Sequence, residues 1–178
     1  MTDRLLSHAI AEGDGISFVA TVEDAEAARA AQAAGAEGVL VRSGGEDRLA
    51  AIREAVSVPI VFFWGFEVPE RLVGADACIV DVKDASDLGS VEQGHFELEA
   101  FEVALRVTDE EQLDAVLDRF DPELVVLAGP LEQVHELLAA VPAGKLVLAE
   151  LPSPTHEDVE ELERAGVDAV IVRDRELL

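Results

Sequence analysis

Along this chain one unit of hydrophobic patterning recurs: an amphipathic stretch ends at a glycine, a short polar turn follows, and an apolar, mostly β-branched run comes next. The unit reads Ala34-Gly35-Ala36-Glu37-Gly38-Val39-Leu40-Val41-Arg42, then Val73-Gly74-Ala75-Asp76-Ala77-Cys78-Ile79-Val80-Asp81, then Ala165-Gly166-Val167-Asp168-Ala169-Val170-Ile171-Val172-Arg173. Glycine suits a helix end because it takes the left-handed conformation without a Cβ clash. An apolar run that does not alternate predicts a strand covered on both faces. Comparable runs at 16–22, 59–66, 101–107, 124–128 and 146–151 bring the predicted strands to eight. Helical stretches are predicted to start near Glu23-Asp24, Glu46-Asp47, Pro69-Glu70, Asp109-Glu110, Pro130-Leu131 and Thr155-His156, with Thr108 and Glu111 at capping-box spacing. Segment 84–100, with Gly89 and Gly94, reads only as a broken helix or loop.

Strands and helices that alternate through short joints form parallel, right-handed crossovers. Eight such units predict an α/β fold, a minimal parallel (β/α)8 TIM barrel, as one compact domain over 1–178. Such barrels more often take about 250 residues. Residues 174–178 are too few for an eighth helix, and a helix over 3–11, ahead of the first strand, either covers the barrel floor or fills that gap. The alternative is an open doubly wound parallel sheet, whose glycine fingerprint is absent where Ala20-Thr21-Val22-Glu23 follows the first strand.

Charge narrows the partners. With 38 Asp and Glu against 13 Lys and Arg, the formal net charge is −25, and only Lys83 and Lys145 are lysines. Such a surface repels nucleic acid and anionic lipid, which excludes both as partners. It resembles in composition the proteins of salt-accumulating cells. No apolar run nears the roughly 20 residues of a membrane span, no signal segment is read, and the single Cys78 lies in an apolar run, so a cytoplasmic protein is expected. A short barrel with incomplete helical cover also suits a homodimer.

In either fold, chemistry belongs at the C-terminal ends of the strands. Those ends carry Arg42, Trp64, Asp81 with Lys83, Arg106, Glu150 and Arg173. Arg42, Asp81 and Arg173 fall at equivalent positions of the repeat and should point the same way. Arginine forms bidentate contacts with carboxylate or phosphate, so Arg42, Arg106 and Arg173, with Asp81 and Trp64 beside them, are the candidate anion site. The competing reading is a salt-bridge network that only plugs the mouth. Glu150 and Lys83 are the candidate acid/base pair, Lys83 sharing a strand face with Asp81 by two-residue periodicity. Trp64 offers a pocket wall, and Ser43-Gly44-Gly45 reads either as an anion-binding loop or as a turn. The four histidines show no metal-ligand spacing, and neither a metal nor a cofactor is expected.

Several stretches resemble the indole-3-glycerol phosphate synthase family of phosphate-binding barrels. Phe101-Glu102-Val103-Ala104-Leu105-Arg106-Val107-Thr108-Asp109-Glu110-Glu111-Gln112-Leu113 is similar to that family's fifth strand and following helix. Residues 145–177, including Pro154-Thr155-His156-Glu157-Asp158-Val159, are similar to its last two units, and Val56-Ser57-Val58-Pro59-Ile60 to the entry of its third strand. The resemblance implies the barrel fold and places Glu150 on the family's strand-seven glutamate. The other functional positions depart. Phe62-Phe63-Trp64-Gly65 replaces the strand-three lysine, Arg106 the strand-five glutamate, and Leu127-Ala128-Gly129 the strand-six asparagine. Pro152 and Arg173 stand where phosphate-binding glycines belong. The expectation is therefore a diverged barrel that binds a small anionic metabolite, with lyase- or isomerase-type proton transfer if it is catalytic. The family's own reaction is not expected. The alternative is a non-catalytic barrel acting through protein contacts.

Overall fold

The computed structural model describes residues 5–65, 67–86, 88–173 and 175–178, with the side chains of all but His95 and Arg175. Residues 3 and 4 of the expected N-terminal helix, Phe66 and Asp174 lie outside the described residues. Eight parallel strands close on themselves in sequence order, β8 pairing with β1. They are β1 Ser17–Thr21, β2 Gly38–Val41, β3 Ile60–Trp64, β4 Ala77–Asp81, β5 Glu102–Val107, β6 Leu124–Ala128, β7 Leu146–Glu150 and β8 Ala169–Val172. The helices are α1 Leu6–Ala11, α2 Ala25–Ala34, α3 Leu49–Ala55, α4 Leu88–Glu97, α5 Glu110–Phe120, α6 Leu131–Ala140 and α7 His156–Ala165. The closed ring is a small (β/α)8 barrel and excludes the open sheet.

Strand residues alternate between two buried layers. Val19, Leu40, Val61, Ile79, Ala104, Val126, Leu148 and Ile171 fill the barrel interior. Val39, Phe62, Trp64, Cys78, Leu105, Val125 and Val170 face outward under the helices. That sandwiching is why the strands read as unbroken apolar runs. Burial pushes the Cys78 thiol up to about 12, with Glu67 adding to the effect. Leu6 and Ile10 of α1 enter the interior cluster, and the Glu102 carboxylate accepts the Leu6 and Ser7 N–H groups, so α1 closes the barrel floor. After β8 the described residues form the 3-10 turn Arg175–Leu177.

The Gly-x-Asp shared by Gly74-Ala75-Asp76 and Gly166-Val167-Asp168 has a local cause. Both glycines take the left-handed region, at φ 109° and 95°. Two residues on, the Asp76 carboxylate accepts the Ile60 N–H at 2.8 Å and that of Asp168 accepts the Val147 N–H at 2.7 Å. Each aspartate thus ties the start of its own strand to the start of the preceding one.

Three local expectations need correction. Segment 84–100 holds a regular helix, α4, because Gly94 lets it lie flat on Trp64: a Cβ there would come within 2.5 Å of the indole. The stretch after Val68 forms only the 3-10 turn Pro69–Leu72, since Gly74 follows at once with φ 109°. The α5 cap is Asp109, which accepts the Gln112 N–H at 2.8 Å, while the Gln112 side chain accepts the Thr108 N–H. The capping box lies instead at Thr155 and Asp158. Val68, Val73 and Phe96 are large, exposed apolar side chains.

Candidate functional site

Two-residue alternation fixes what lines the mouth. Continuing two residues past each interior side chain gives Thr21, Arg42, Phe63, Asp81, Arg106, Ala128, Glu150 and Arg173. These positions form the uppermost inward ring, at the C-terminal ends of the strands. Neighbouring strands bring them side by side, Asp81 being the register partner of Arg106 and Ala128 that of Glu150.

The centre of the ring is a chain of ion pairs. Arg42 Nη2 donates to Glu150 Oε1 at 2.5 Å, and Arg106 Nε to Glu150 Oε2 at 2.6 Å. Arg106 Nη1 donates in turn to Asp81 Oδ1 at 2.9 Å. The Phe63 ring lies beneath, its centroid 4.8 Å from the Arg42 guanidinium carbon and 6.0 Å from that of Arg106. Both cations are therefore held between a carboxylate and an aromatic face. Burial alone would raise the Glu150 carboxyl, but hydrogen bonds and charge from Arg106 and Arg42 outweigh it and hold it below its usual range. Burial likewise opposes the charge on Arg106, and Glu150 and Asp81 overcome it, so its basicity is raised. Glu150 is thus an ionised acceptor with both oxygens occupied.

Arg173 is different. It is exposed and makes no ion pair or hydrogen bond with the other described residues. It stands where two clefts meet. The larger, about 770 Å³, opens over β1 and β2 and is lined by Thr21, Arg42, Ser43, Gly44, Arg48 and Arg173 among others. The smaller, about 190 Å³, opens over β7 and β8 and is lined by Arg42, Glu150, Ser153 and Arg173 among others. Beside the larger cleft, Thr21 Oγ1 and Arg42 Nε are shut from solvent and have no hydrogen-bond partner among the described residues. The loop after β2 is a tight turn: Gly45 N–H donates to the Arg42 carbonyl at 3.0 Å, with Gly44 at φ 88°. A side chain at Gly45 would strike Val41, so the glycine pair holds Arg42 at the turn's first position.

The ring brings together Arg42, Asp81, Arg106 and Glu150, with Arg173 on its rim. Lys83 lies past the end of β4, exposed, and lines a separate cleft of about 300 Å³ with Ser43, Phe63, Trp64 and Asp81. It has no partner among the described residues, and the cleft it lines does not include Glu150. Sharing a strand face with Asp81 fails to unite them because β4 ends at Asp81. Trp64 is one residue out of phase. Its ring packs outward beneath Gly94, its indole N–H donates to the Glu67 carbonyl at 3.1 Å, and Phe63 is the aromatic residue of the mouth. Phe63 was legible in sequence by parity with Asp81 and Arg106. Arg48, in the 3-10 turn Glu46–Arg48, had no signal beyond being basic in an acidic chain. Among the described residues no group of three or more His, Cys, Asp or Glu is placed to hold a metal ion, and no helix is long and apolar enough to cross a membrane.

The fold and this mouth define a class, the small (β/α)8 barrel with a charged C-terminal rim. No known family model matches the chain. It is distantly similar to indole-3-glycerol phosphate synthase of Geobacillus sp. (strain WCH70), 26% identical over 139 aligned positions that cover 70% of this chain and 54% of that enzyme. The matched region thus spans about half the length of that curated relative. In fold it is similar to thiamine phosphate pyrophosphorylase from Pyrococcus furiosus (TM-score 0.72, 15% identity, covering 89% of this chain and 85% of that one). It is also similar to phosphoenolpyruvate phosphomutase from Streptomyces platensis subsp. rosaceus (TM-score 0.70, 17% identity, 96% and 80%).

Proposed function

We propose that this barrel binds a small anionic metabolite, one carrying a phosphate or a carboxylate, at its C-terminal rim. The observation that carries the reading is Arg173. In a chain of net charge −25 it is a rim cation without a carboxylate partner among the described residues, standing where two clefts meet. Its fork of donors suits bidentate capture of either anion. Arg42 lines both clefts too. The similarity to enzymes named for phosphorylated compounds supports the same class of ligand. A thermal-shift panel of phosphorylated and carboxylated metabolites tests it. A specific upward shift that disappears in Arg173→Ala is expected, and no shift from any anion contradicts the reading.

Two versions of this function differ in chemistry. In one, Glu150 and Lys83 serve proton transfer of the lyase or isomerase type. In the other the barrel is non-catalytic, a structural or protein-interaction module. The second draws support from the Arg42–Glu150–Arg106–Asp81 chain: a carboxylate held ionised by two arginines is a weak base, and Lys83 opens on another cleft. Glu150→Gln separates them. Loss of turnover with ligand binding retained assigns catalysis, whereas a change in stability alone assigns the structural role.

A further inference from the structure

We infer that the rim takes a ligand with two anionic groups, one at each of the two clefts, with Arg173 and Arg42 between them; this rests on the anion-binding reading above. The clefts are distinct in size, about 770 Å³ and about 190 Å³, yet they share these two arginines. Cationic side chains line both sides of the shared wall. The small cleft presents Arg173 and the Ser153 hydroxyl beside Pro152 and Pro154, room for one compact anionic head. The large cleft adds a third arginine, Arg48, beyond the Ser43-Gly44-Gly45 turn. Arg48 Nη1 donates to the Glu23 carbonyl at 2.9 Å, which anchors one arm of the fork and leaves the other for a ligand.

Charge points the same way. Glu150 neutralises part of Arg42 in the small cleft, so a single anion there meets Arg173 as the cation unpaired among the described residues. In the large cleft Arg48 and Arg173 have no carboxylate partner among the described residues, while Asp24 caps α2 through the Ala27 N–H at 2.8 Å. A second head placed there would meet Arg48. The ligand class is therefore a short chain or sugar carrying an acidic group at each end, such as a bisphosphate or a phosphorylated carboxylic acid.

Calorimetric titration at one fixed KCl concentration tests this with propyl phosphate, propane-1,3-diol bisphosphate and pentane-1,5-diol bisphosphate. One of the bisphosphates should bind about tenfold or more tightly than propyl phosphate, as an added set of charge-assisted hydrogen bonds implies. In Arg48→Ala that advantage should vanish while the propyl phosphate affinity stays unchanged. Arg48→Gln, a polar uncharged replacement, should give the same result, with unchanged urea denaturation excluding loss of the turn as the cause. Equal affinities for all three probes, each lost in Arg173→Ala, overturn the two-headed ligand and leave the anion site standing. A bisphosphate advantage that survives both Arg48 variants overturns the placement of the second head. Failure of every probe to bind the parent overturns this inference together with the reading beneath it.

Discussion

Replacing Glu150 with Gln removes the charge that joins the two arginines of the mouth. The parent carboxylate accepts from Arg42 at 2.5 Å and from Arg106 at 2.6 Å. Hydrogen bonds to charged groups contribute about 1.5–3 kcal/mol each. Gln keeps one acceptor oxygen but turns an N–H2 toward one guanidinium, so one bond is lost and the other weakened. Breaking a fully buried pair costs about 3–5 kcal/mol. Here the side chains of Glu150, Arg106 and Arg42 are 12%, 22% and 31% exposed, and Arg106 keeps Asp81, which brings the expected cost down to about 2–3 kcal/mol. For a chain of this size that lowers Tm by roughly 5–10 °C. Deleting a negative charge also relieves self-repulsion of the acidic surface. The comparison therefore belongs near 1 M KCl, where the Debye length is about 3 Å. Chemical denaturation with urea measures the difference, and Arg119→Ala is the control: its pair with Glu92 is 49% and 62% exposed and should matter by less than about 0.5 kcal/mol. A Glu150→Gln variant as stable as the parent would refute the ion-pair chain as a structural element of the mouth.

The same group sets an acid dependence. Because the folded Glu150 carboxyl lies below its ordinary value of 4.5, its contribution is complete above that value and is lost as pH falls through the lower folded value. The stability gap between parent and Glu150→Gln should hold constant from pH 7 to about 5 and shrink below about 4, measured by denaturation at stepped pH; a gap that widens in acid contradicts the assignment. Gly94→Ala should destabilise by about 1–2 kcal/mol despite the better helix propensity of Ala, because the added methyl meets the buried Trp64 ring at 2.5 Å; Trp fluorescence during unfolding reads it. Asp76→Ala should cost about 2–3 kcal/mol, more than Asp168→Ala at about 1–2, since Asp76 also pairs with Arg53 at 2.6 Å while Asp168 has no such cation among the described residues. Equal losses in the two variants would contradict that difference.

The fold was legible because its physics is local and repeated. A strand buried on both faces must be apolar throughout, and a helix that turns back toward the next strand favours glycine at its end; residues 34–42, 73–81 and 165–173 state both rules in the same order. The helix α4 was not legible, since Gly94 weakens helix propensity and its compensation, the face of Trp64, comes from a distant strand. At the barrel mouth, the strand-end rule places Arg42, Asp81, Arg106, Glu150 and Arg173. It did not find their partners. Which carboxylate meets which guanidinium depends on strand register and on closure of β8 against β1, and neither is a local property of the chain. Trp64 walls the cleft of Lys83, while parity puts Phe63 rather than Trp64 into the mouth. Lys83 has the parity but lies past the point where β4 ends.

The central claim is that the arginine rim, rather than the acidic exterior, receives a small anion. Side-chain Nε–H nitrogen NMR of the arginines, recorded as propyl phosphate is added at constant ionic strength, tests it most directly. The account predicts saturable shifts for Arg173 and Arg42, with Arg119 and Arg71 unmoved, both being engaged by carboxylates on the exterior. Shifts of equal size across all the arginines, or none at Arg173, would contradict it.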